Sequence, residues 1–184
     1  KLPFENGGII DLNRNYFGFG SRLNYKQEKH LWQIGIESSS QQDQRDRFLN
    51  LKGIQGEQSF SQLESFRSLG IYILDEVQWK KLLLRTSLRY DDLSLGADSV
   101  FEDQKYQVLN PSIGLSYEID IKQRLFVNFS SSFETPTLSE LSSNPSGKEG
   151  LNLELNPSRA LNYEIGWKGL WAKTRIEANL FFIE

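Results

Sequence analysis

The chain has few of the residues that most often carry out catalysis or bind metals. It contains one histidine, His30, and no cysteine, which excludes thiolate metal sites, cysteine nucleophiles and disulfide scaffolds. His30 would have to serve any Ser-His-acid catalyst, but it lies in a predicted tight turn, where an exposed or interfacial side chain is the ordinary interpretation. Zinc centres usually draw on several His or Cys ligands. We therefore expect no catalytic residue, no metal site, no cofactor and no enzymatic activity.

Two glycine-containing segments and one acidic stretch resemble known motifs only weakly. Segments 18–22 and 147–150 neither follow a buried strand nor open a helix, and Lys148 lacks the Ser or Thr that follows the lysine of a phosphate-binding loop. The acidic residues between Asp91 and Asp103 do not have the spacing of an EF-hand. We exclude a phosphate-binding loop and interpret the acidic stretch as a solvated loop.

Four polar residues have the chemistry to recognise a ligand: Arg89, Asp91, Glu134 and Asn162. An arginine can pair with the anionic groups of a ligand, and carboxylates can orient loops or accept hydrogen bonds. We predict that these four face inward near one rim of a sheet and contribute to ligand binding. The alternative is that each is an ordinary solvated residue of a polar interior.

Strands must position these residues, because apolar and polar residues alternate with a period of two in segment after segment. From Leu82 to Tyr90 every second residue is apolar or Thr, whereas the intervening positions include Arg85 and Arg89. The pattern returns over 109–119, 125–134 and 161–168, and in weaker form over 17–26, 31–40, 66–79 and 174–184. We predict an all-β fold, an antiparallel up-and-down meander of about eight strands whose lengths suit tilted membrane strands.

The connections alternate between short and long. Tight turns are predicted near 27–30, 78–81, 120–123 and 169–172, and long polar connections over 41–65, 92–105 and 135–157. In a meander, alternate connections lie at the same end of the sheet. One rim is therefore expected to be trimmed and the other to carry long loops, as in transmembrane β-barrels.

All four tryptophans lie in or beside the predicted tight turns: Trp32, Trp79, Trp167 and Trp171. Indole rings favour the boundary between hydrocarbon and headgroups, so we predict an aromatic girdle at the short-turn rim. The alternative is a soluble β-sandwich with core aromatics. The alternate positions that carry polar residues hold Arg, Glu, Ser and Gly, which favours the membrane barrel, whose interior is polar.

Composition excludes several other classes. With 21 basic and 24 acidic residues the formal net charge is −3, which gives no general attraction to nucleic acid. No apolar run approaches the roughly 18 to 20 residues of a transmembrane helix, so any membrane span is expected to be a strand. The first residues lack the features of a secretory signal, and we expect either that the signal was removed or that the chain is internal.

Several segments have a recognisable pattern: 133–141, 153–157 and 162–169, together with 70–77, 88–91 and 110–117. They resemble the barrel domain of TonB-dependent outer-membrane receptors, over about residues 17–184. Each motif is degenerate, but their order and spacing match. The family fold is a barrel of roughly 22 strands filled by an N-terminal plug, so the resemblance implies that residues 1–184 are a single segment of a larger barrel, without plug or TonB box.

For the whole receptor, the resemblance implies TonB-dependent import of a scarce ligand across the bacterial outer membrane. That ligand would most often be a ferric siderophore, a metal chelate, and in some members cobalamin, haem or a glycan. Its partners would be outer-membrane lipid, TonB and the chelate. The segment alone would either close into a narrow barrel or stay an open sheet, and we expect it to depend on detergent or to self-associate through its strand edges.

Two further function classes stay open from the sequence. The chain could be a complete small outer-membrane barrel acting as an adhesin or a structural protein, although its last residues lack the terminal aromatic common in such proteins. It could also be a soluble lipocalin-like binding protein, in which the apolar alternate positions of the strands would face a dry cavity. A charge introduced at one of these apolar positions would then be tolerated poorly.

Overall fold

A computed structural model describes residues 8–99, 103–137, 140–141, 152 and 154–184 of the chain. The strands are β1 (Ile9–Gln27), β2 (His30–Leu51), β3 (Ile54–Trp79), β4 (Leu82–Ala97), β5 (Gln104–Asp120), β6 (Gln123–Glu134), β7 (Ser158–Trp171) and β8 (Thr174–Ile183). They form one antiparallel sheet whose spatial order is the sequence order. The predicted all-β meander of eight strands is confirmed.

Two-residue turns join the strands at one rim, as predicted. Glu28, Lys80 and Ala172 each begin such a turn with positive φ, and the fourth turn is Ile121–Lys122 between β5 and β6. Positive φ at the first central position alone is typical of the type II′ turn, one of the two turn types whose twist matches that of the flanking strands. Asp120 supports the fourth turn through a hydrogen bond from the Lys122 backbone N–H.

The opposite rim differs from the sequence prediction in one place. The predicted long connection over 41–65 is wrong, because β2 and β3 continue through it as an extended hairpin that turns at Lys52 and Gly53. The side chains of this stretch are polar on both faces, so they lack the alternation that identifies a strand. The predicted connection over 92–105 is shorter than expected, since β4 continues to Ala97.

The sheet has two chemically different faces. The cross-strand register places Arg85, Arg89 and Asp91 of β4 on one face, which we call the polar face. The opposite face, called the apolar face, carries Leu84 and Leu88 of β4 and the corresponding apolar residues of the neighbouring strands. Its leucines, isoleucines and aromatic residues are widely exposed, as expected for a surface that lipid would cover.

Neighbouring hairpins are staggered in one direction across the sheet. The Lys29 carbonyl accepts a hydrogen bond from the Gln78 N–H at 3.0 Å, a few residues before β3 reaches its own turn. Equivalent contacts join Lys81 to Glu118 at 2.8 Å and Lys122 to Leu170 at 2.9 Å. Such a regular stagger is the shear of a barrel wall with tilted strands, and β1 and β8 are its two edges.

Helical structure is minor in the described part of the chain. Glu140 and Leu141 form a helical turn within the long β6–β7 connection. No helix among the described residues has the length and apolar character needed to cross a membrane.

Candidate functional site

The polar face is organised by ion pairs between strands. Antiparallel register brings side chains directly opposite each other to within contact distance, and in four pairs the opposed residues carry opposite charges: Arg14–Asp43, Arg85–Glu76, Arg124–Glu118 and Lys168–Glu177. Arg45 and Glu64 pair diagonally on adjacent strands, and Arg89 of β4 reaches across β3 to Glu37 of β2. They line the face from the short-turn rim to the extended β2–β3 hairpin.

Two of the four predicted ligand-binding residues, Arg89 and Asp91, contact each other. They are two positions apart on β4 and therefore share the polar face. Arg89 Nε lies 2.9 Å from Asp91 Oδ1 and 3.0 Å from Oδ2, and Arg89 Nη1 lies 2.8 Å from Glu37 Oε2. The guanidinium also lies over the Tyr72 ring, 5.9 Å from its centroid. Gly70 makes this possible, because a Cβ at that position would overlap the Arg89 guanidinium.

The other two predicted residues lie elsewhere on the polar face. Asn162 of β7 donates a hydrogen bond to Ser132 Oγ at 3.3 Å. Glu134 is the last residue of β6 and is exposed. Arg89 and Asn162 are three strands apart, roughly 14 Å at the usual interstrand spacing. The structure therefore brings Arg89 and Asp91 together but does not gather all four into one cluster, and their role in binding stays a prediction.

Sequence reasoning missed two buried carboxylates beyond Arg89, towards the extended hairpin. Arg14 donates to Asp43 from Nε at 2.8 Å and from Nη2 at 2.7 Å. Arg45 donates to Glu64 in the same way, at 2.7 and 2.9 Å. Both carboxylates are buried. The Arg14 hydrogen bonds lower the pKa of Asp43 against the opposing effect of burial. Only the cross-strand register could have identified these pairs.

An apolar cluster lies on the same face beside these ion pairs. Leu93, Leu95, Ala97 and Tyr106 pack around Leu141, which is fully buried and comes from the β6–β7 connection. The Tyr106 hydroxyl donates to the Leu155 carbonyl at 2.8 Å. The apolar residues of β4 thus change face beyond Asp91, and the alternation of Leu93, Leu95 and Ala97 is the sequence signal for this change.

A capping box begins the helical turn that delivers Leu141. The Glu140 carboxylate accepts hydrogen bonds from the Thr137 backbone N–H at 2.7 Å and from Thr137 Oγ1 at 3.0 Å, and the Glu140 N–H donates back to Thr137 Oγ1 at 3.2 Å. These bonds lower the pKa of Glu140. The T-x-x-E spacing is the sequence signal for this motif, and it was available before the structure.

The predicted aromatic girdle residues all lie on the apolar face: Trp32, Trp79, Trp167 and Trp171. Trp79 and Trp171 are exposed beside their turns. His30 also lies on this face, where its ring stacks on Trp32 and its Nδ1 lies 2.9 Å from Asp75 Oδ2. Placement of these rings at a membrane boundary stays a prediction.

The described residues contain no group of three or more His, Asp or Glu side chains arranged to hold a metal ion. Of the acidic stretch, Asp92 accepts a hydrogen bond from Gln107 and Asp103 accepts one from Ser94. Segment 147–150 and Glu102 lie outside the described residues.

Comparison with known proteins agrees with this geometry. The family model described as TonB dependent receptor-like, beta-barrel matches residues 3–184. Two curated relatives, both named TonB-dependent heme receptor A from Haemophilus influenzae, are 27% identical over 84 and 106 residues. These matches cover 38% and 46% of this chain but only 11% and 14% of the relatives.

Solved structures show the same fold at low sequence identity. The ferric citrate transporter FecA superposes with a TM-score of 0.77 at 16% identity, covering 96% of this chain and 28% of FecA. The copper transporter OprC superposes with a TM-score of 0.77 at 11% identity, covering 95% of this chain and 30% of OprC. The FrpB iron transporter from Neisseria meningitidis (F5-1 variant) superposes with a TM-score of 0.72 at 18% identity, covering 92% of this chain and 28% of FrpB. The chain spans less than a third of each structure.

The family model covers nearly the whole chain, and the staggered meander with one apolar and one ion-paired face is the wall of such a barrel. Its members are receptors and transporters of the bacterial outer membrane. This chain belongs to the TonB-dependent receptor family, within its β-barrel domain.

Proposed function

We propose that this chain forms part of the lumen wall of an outer-membrane receptor that imports a ferric siderophore in a TonB-dependent manner. The observation that carries the proposal is the polar face, where arginines are held by neighbouring carboxylates yet stay partly open. The side chains of Arg14 and Arg89 are 50% and 36% exposed. The apolar face would contact lipid, so the polar face would line the interior.

In this proposal the strands act as scaffold and a few side chains contact the ligand. Iron chelates with anionic groups suit guanidinium donors, which form short charge-assisted hydrogen bonds. Arg89 would make such a contact, while Asp91 and Glu37 hold it in place. Glu134 and Asn162 would act from β6 and β7, further along the sheet. The similarity to the ferric citrate transporter FecA supports an iron chelate as ligand.

Haem is a second candidate, because the curated relatives are named heme receptors. The only histidine of this chain, His30, lies on the apolar face and contacts Asp75. This part of the barrel therefore offers no imidazole to the interior for haem iron. An iron chelate that needs charged and polar contacts fits the polar face better.

Uptake measurements on the full-length receptor test this proposal. A strain lacking the receptor gene, grown under iron limitation, should lose uptake of radiolabelled ferric siderophore and keep uptake of haem iron. Complementation with Arg89→Gln should restore less uptake than wild type. Arg85→Gln is the matched control, since Arg85 is also an ion-paired arginine of β4 on the polar face. If the strain lacking the receptor loses only haem uptake, haem replaces the siderophore as the proposed ligand. If it loses neither siderophore uptake nor haem uptake, both proposals are refuted.

A further inference from the structure

A small cavity lies on the polar face where the ion pairs meet the apolar cluster. Its volume is about 260 Å³. Arg14 and Arg45 line one side, with Gln41 next to them, and residues 135–137 of the β6–β7 connection form the other side. Phe66 and Leu95 contribute an apolar wall. Asp43 and Glu64 also line the cavity, so it combines two arginine–carboxylate pairs with an apolar wall.

Both guanidiniums are held rigidly. Each uses Nε and Nη2 for two hydrogen bonds to a buried carboxylate, Asp43 for Arg14 and Glu64 for Arg45. Gln41 donates a further hydrogen bond to Asp43 at 3.0 Å. An arginine fixed in this way loses little conformational entropy when it binds a ligand, which favours affinity. Among the described residues no hydrogen-bond acceptor contacts Nη1 of either arginine, so each keeps donors for a ligand.

The acidic side chains around the cavity are already engaged. Asp43 and Glu64 each accept two hydrogen bonds from a guanidinium. The Glu140 carboxylate accepts hydrogen bonds from the backbone N–H and hydroxyl of Thr137. The polar groups at the cavity that are still available to a ligand are therefore mainly hydrogen-bond donors. Two rigid guanidiniums match the planar, two-oxygen geometry of a carboxylate.

We infer that this cavity binds a carboxylate group, supplied either by a small free polycarboxylate or by the carboxylate arm of an iron chelate. Its volume lies below the usual range of about 300 to 1,000 Å³ for sites that enclose a whole drug-sized ligand, so it takes one arm rather than a complete chelate. The inference rests on the proposed function only in assigning the polar face to the receptor interior. The imported chelate would then belong to the class that carries carboxylate groups.

Isothermal titration of the full-length receptor in detergent tests the inference without transport. Metal-free citrate is the probe, its trimethyl ester is the uncharged control, and ferric citrate and inorganic phosphate are separate arms. Citrate should bind and the ester should not. Tighter binding of ferric citrate would identify a chelate arm as the ligand, whereas equal binding would identify the free polycarboxylate. Equal affinity for phosphate would overturn the assignment to carboxylates.

Two variants and one control separate binding from folding. Arg14→Gln should weaken citrate binding by about tenfold or more, because it removes charged hydrogen bonds. Thr135→Phe should weaken it similarly by filling the cavity while leaving both ion pairs intact. Arg124→Gln, which removes an ion-paired arginine near the short-turn rim, should not change it. Binding that survives Thr135→Phe would overturn the site, as would absence of citrate binding to the wild type.

The two proposals can fail separately. Citrate binding that disappears with Thr135→Phe supports the cavity even if the gene deletion leaves siderophore uptake intact. Conversely, siderophore uptake that depends on the receptor supports the proposed function even if citrate does not bind.

Discussion

Removal of Arg45 should unfold the extended β2–β3 hairpin locally. Arg45 and Glu64 are joined by two hydrogen bonds, and their side chains are only 17% and 3% exposed. Arg45→Leu would therefore leave the Glu64 carboxylate buried without its partner. Arg85 and Glu76 form the comparison pair, since they also join adjacent strands on the polar face, but with exposures of 58% and 25%.

The expected magnitudes differ because of burial. Breaking a buried pair by removing one partner costs about 3 to 5 kcal/mol. Because Arg45 keeps some solvent contact, we expect the lower end, about 3 kcal/mol, which corresponds to a roughly 150-fold increase in the opening constant at about 1.4 kcal/mol per tenfold. Arg85→Leu should cost at most about 1 kcal/mol, since exposed pairs contribute little. Replacing both Arg45 and Glu64 by Leu should be nearly neutral.

Hydrogen exchange of the full-length receptor in detergent, resolved by mass spectrometry, measures these opening constants. Peptides from β2 and β3 should lose protection in Arg45→Leu and recover it in the double variant, while peptides from β6 and β7 act as an internal reference. The reasoning is refuted if Arg85→Leu loosens its own strands as much as Arg45→Leu does, or if the double variant exchanges as fast as the single variant.

Three further predictions concern other parts of the sheet. Arg14 lowers the pKa of Asp43, so the stability that this pair contributes is complete above the unfolded pKa of about 3.9 and is lost as the pH falls through the lowered pKa. Asp43→Asn should therefore remove the acid dependence of hydrogen exchange in β1 and β2. An unchanged acid dependence in this variant would contradict the prediction. Leu141→Ala should destabilise docking of the β6–β7 connection by about 2 to 5 kcal/mol, seen as faster proteolysis between β6 and β7, with the exposed Leu170→Ala as control. With Trp171 as the only tryptophan, brominated lipids should quench its fluorescence most when bromine lies near the headgroups; strongest quenching at the bilayer centre would contradict the girdle.

The β6–β7 connection has a wider consequence for the receptor. Leu141 and the Leu155 carbonyl attach this connection to the wall at the apolar cluster, and residues 135–137 border the cavity. A substitution that releases the connection should therefore also weaken carboxylate binding. The effects of Leu141→Ala and Thr135→Phe on citrate affinity should have the same sign for different reasons, loss of a wall in one case and loss of volume in the other.

Local pattern was enough to predict the fold class and the short-turn rim. Alternation over 82–90 or 161–168 depends only on neighbouring residues, because successive side chains of a strand point to opposite faces. The same rule places Arg89 and Asp91 on one face, and their contact follows from the spacing of two. It fails over 41–65, where both faces carry mostly polar side chains and no alternation of apolar residues marks the strand.

What the sequence alone determines is therefore which residues share a face and which strands are neighbours in a meander. The tertiary structure decides which residues lie opposite each other, since a shift of one residue in register would move a whole strand's side chains to the other face. Arg14 meets Asp43, and Arg45 meets Glu64, only at the observed register. The cavity also needs residues 135–137, which reach it through the docking of Leu141. These contacts join residues far apart in the chain, and their energies depend on burial that no local pattern of residues specifies.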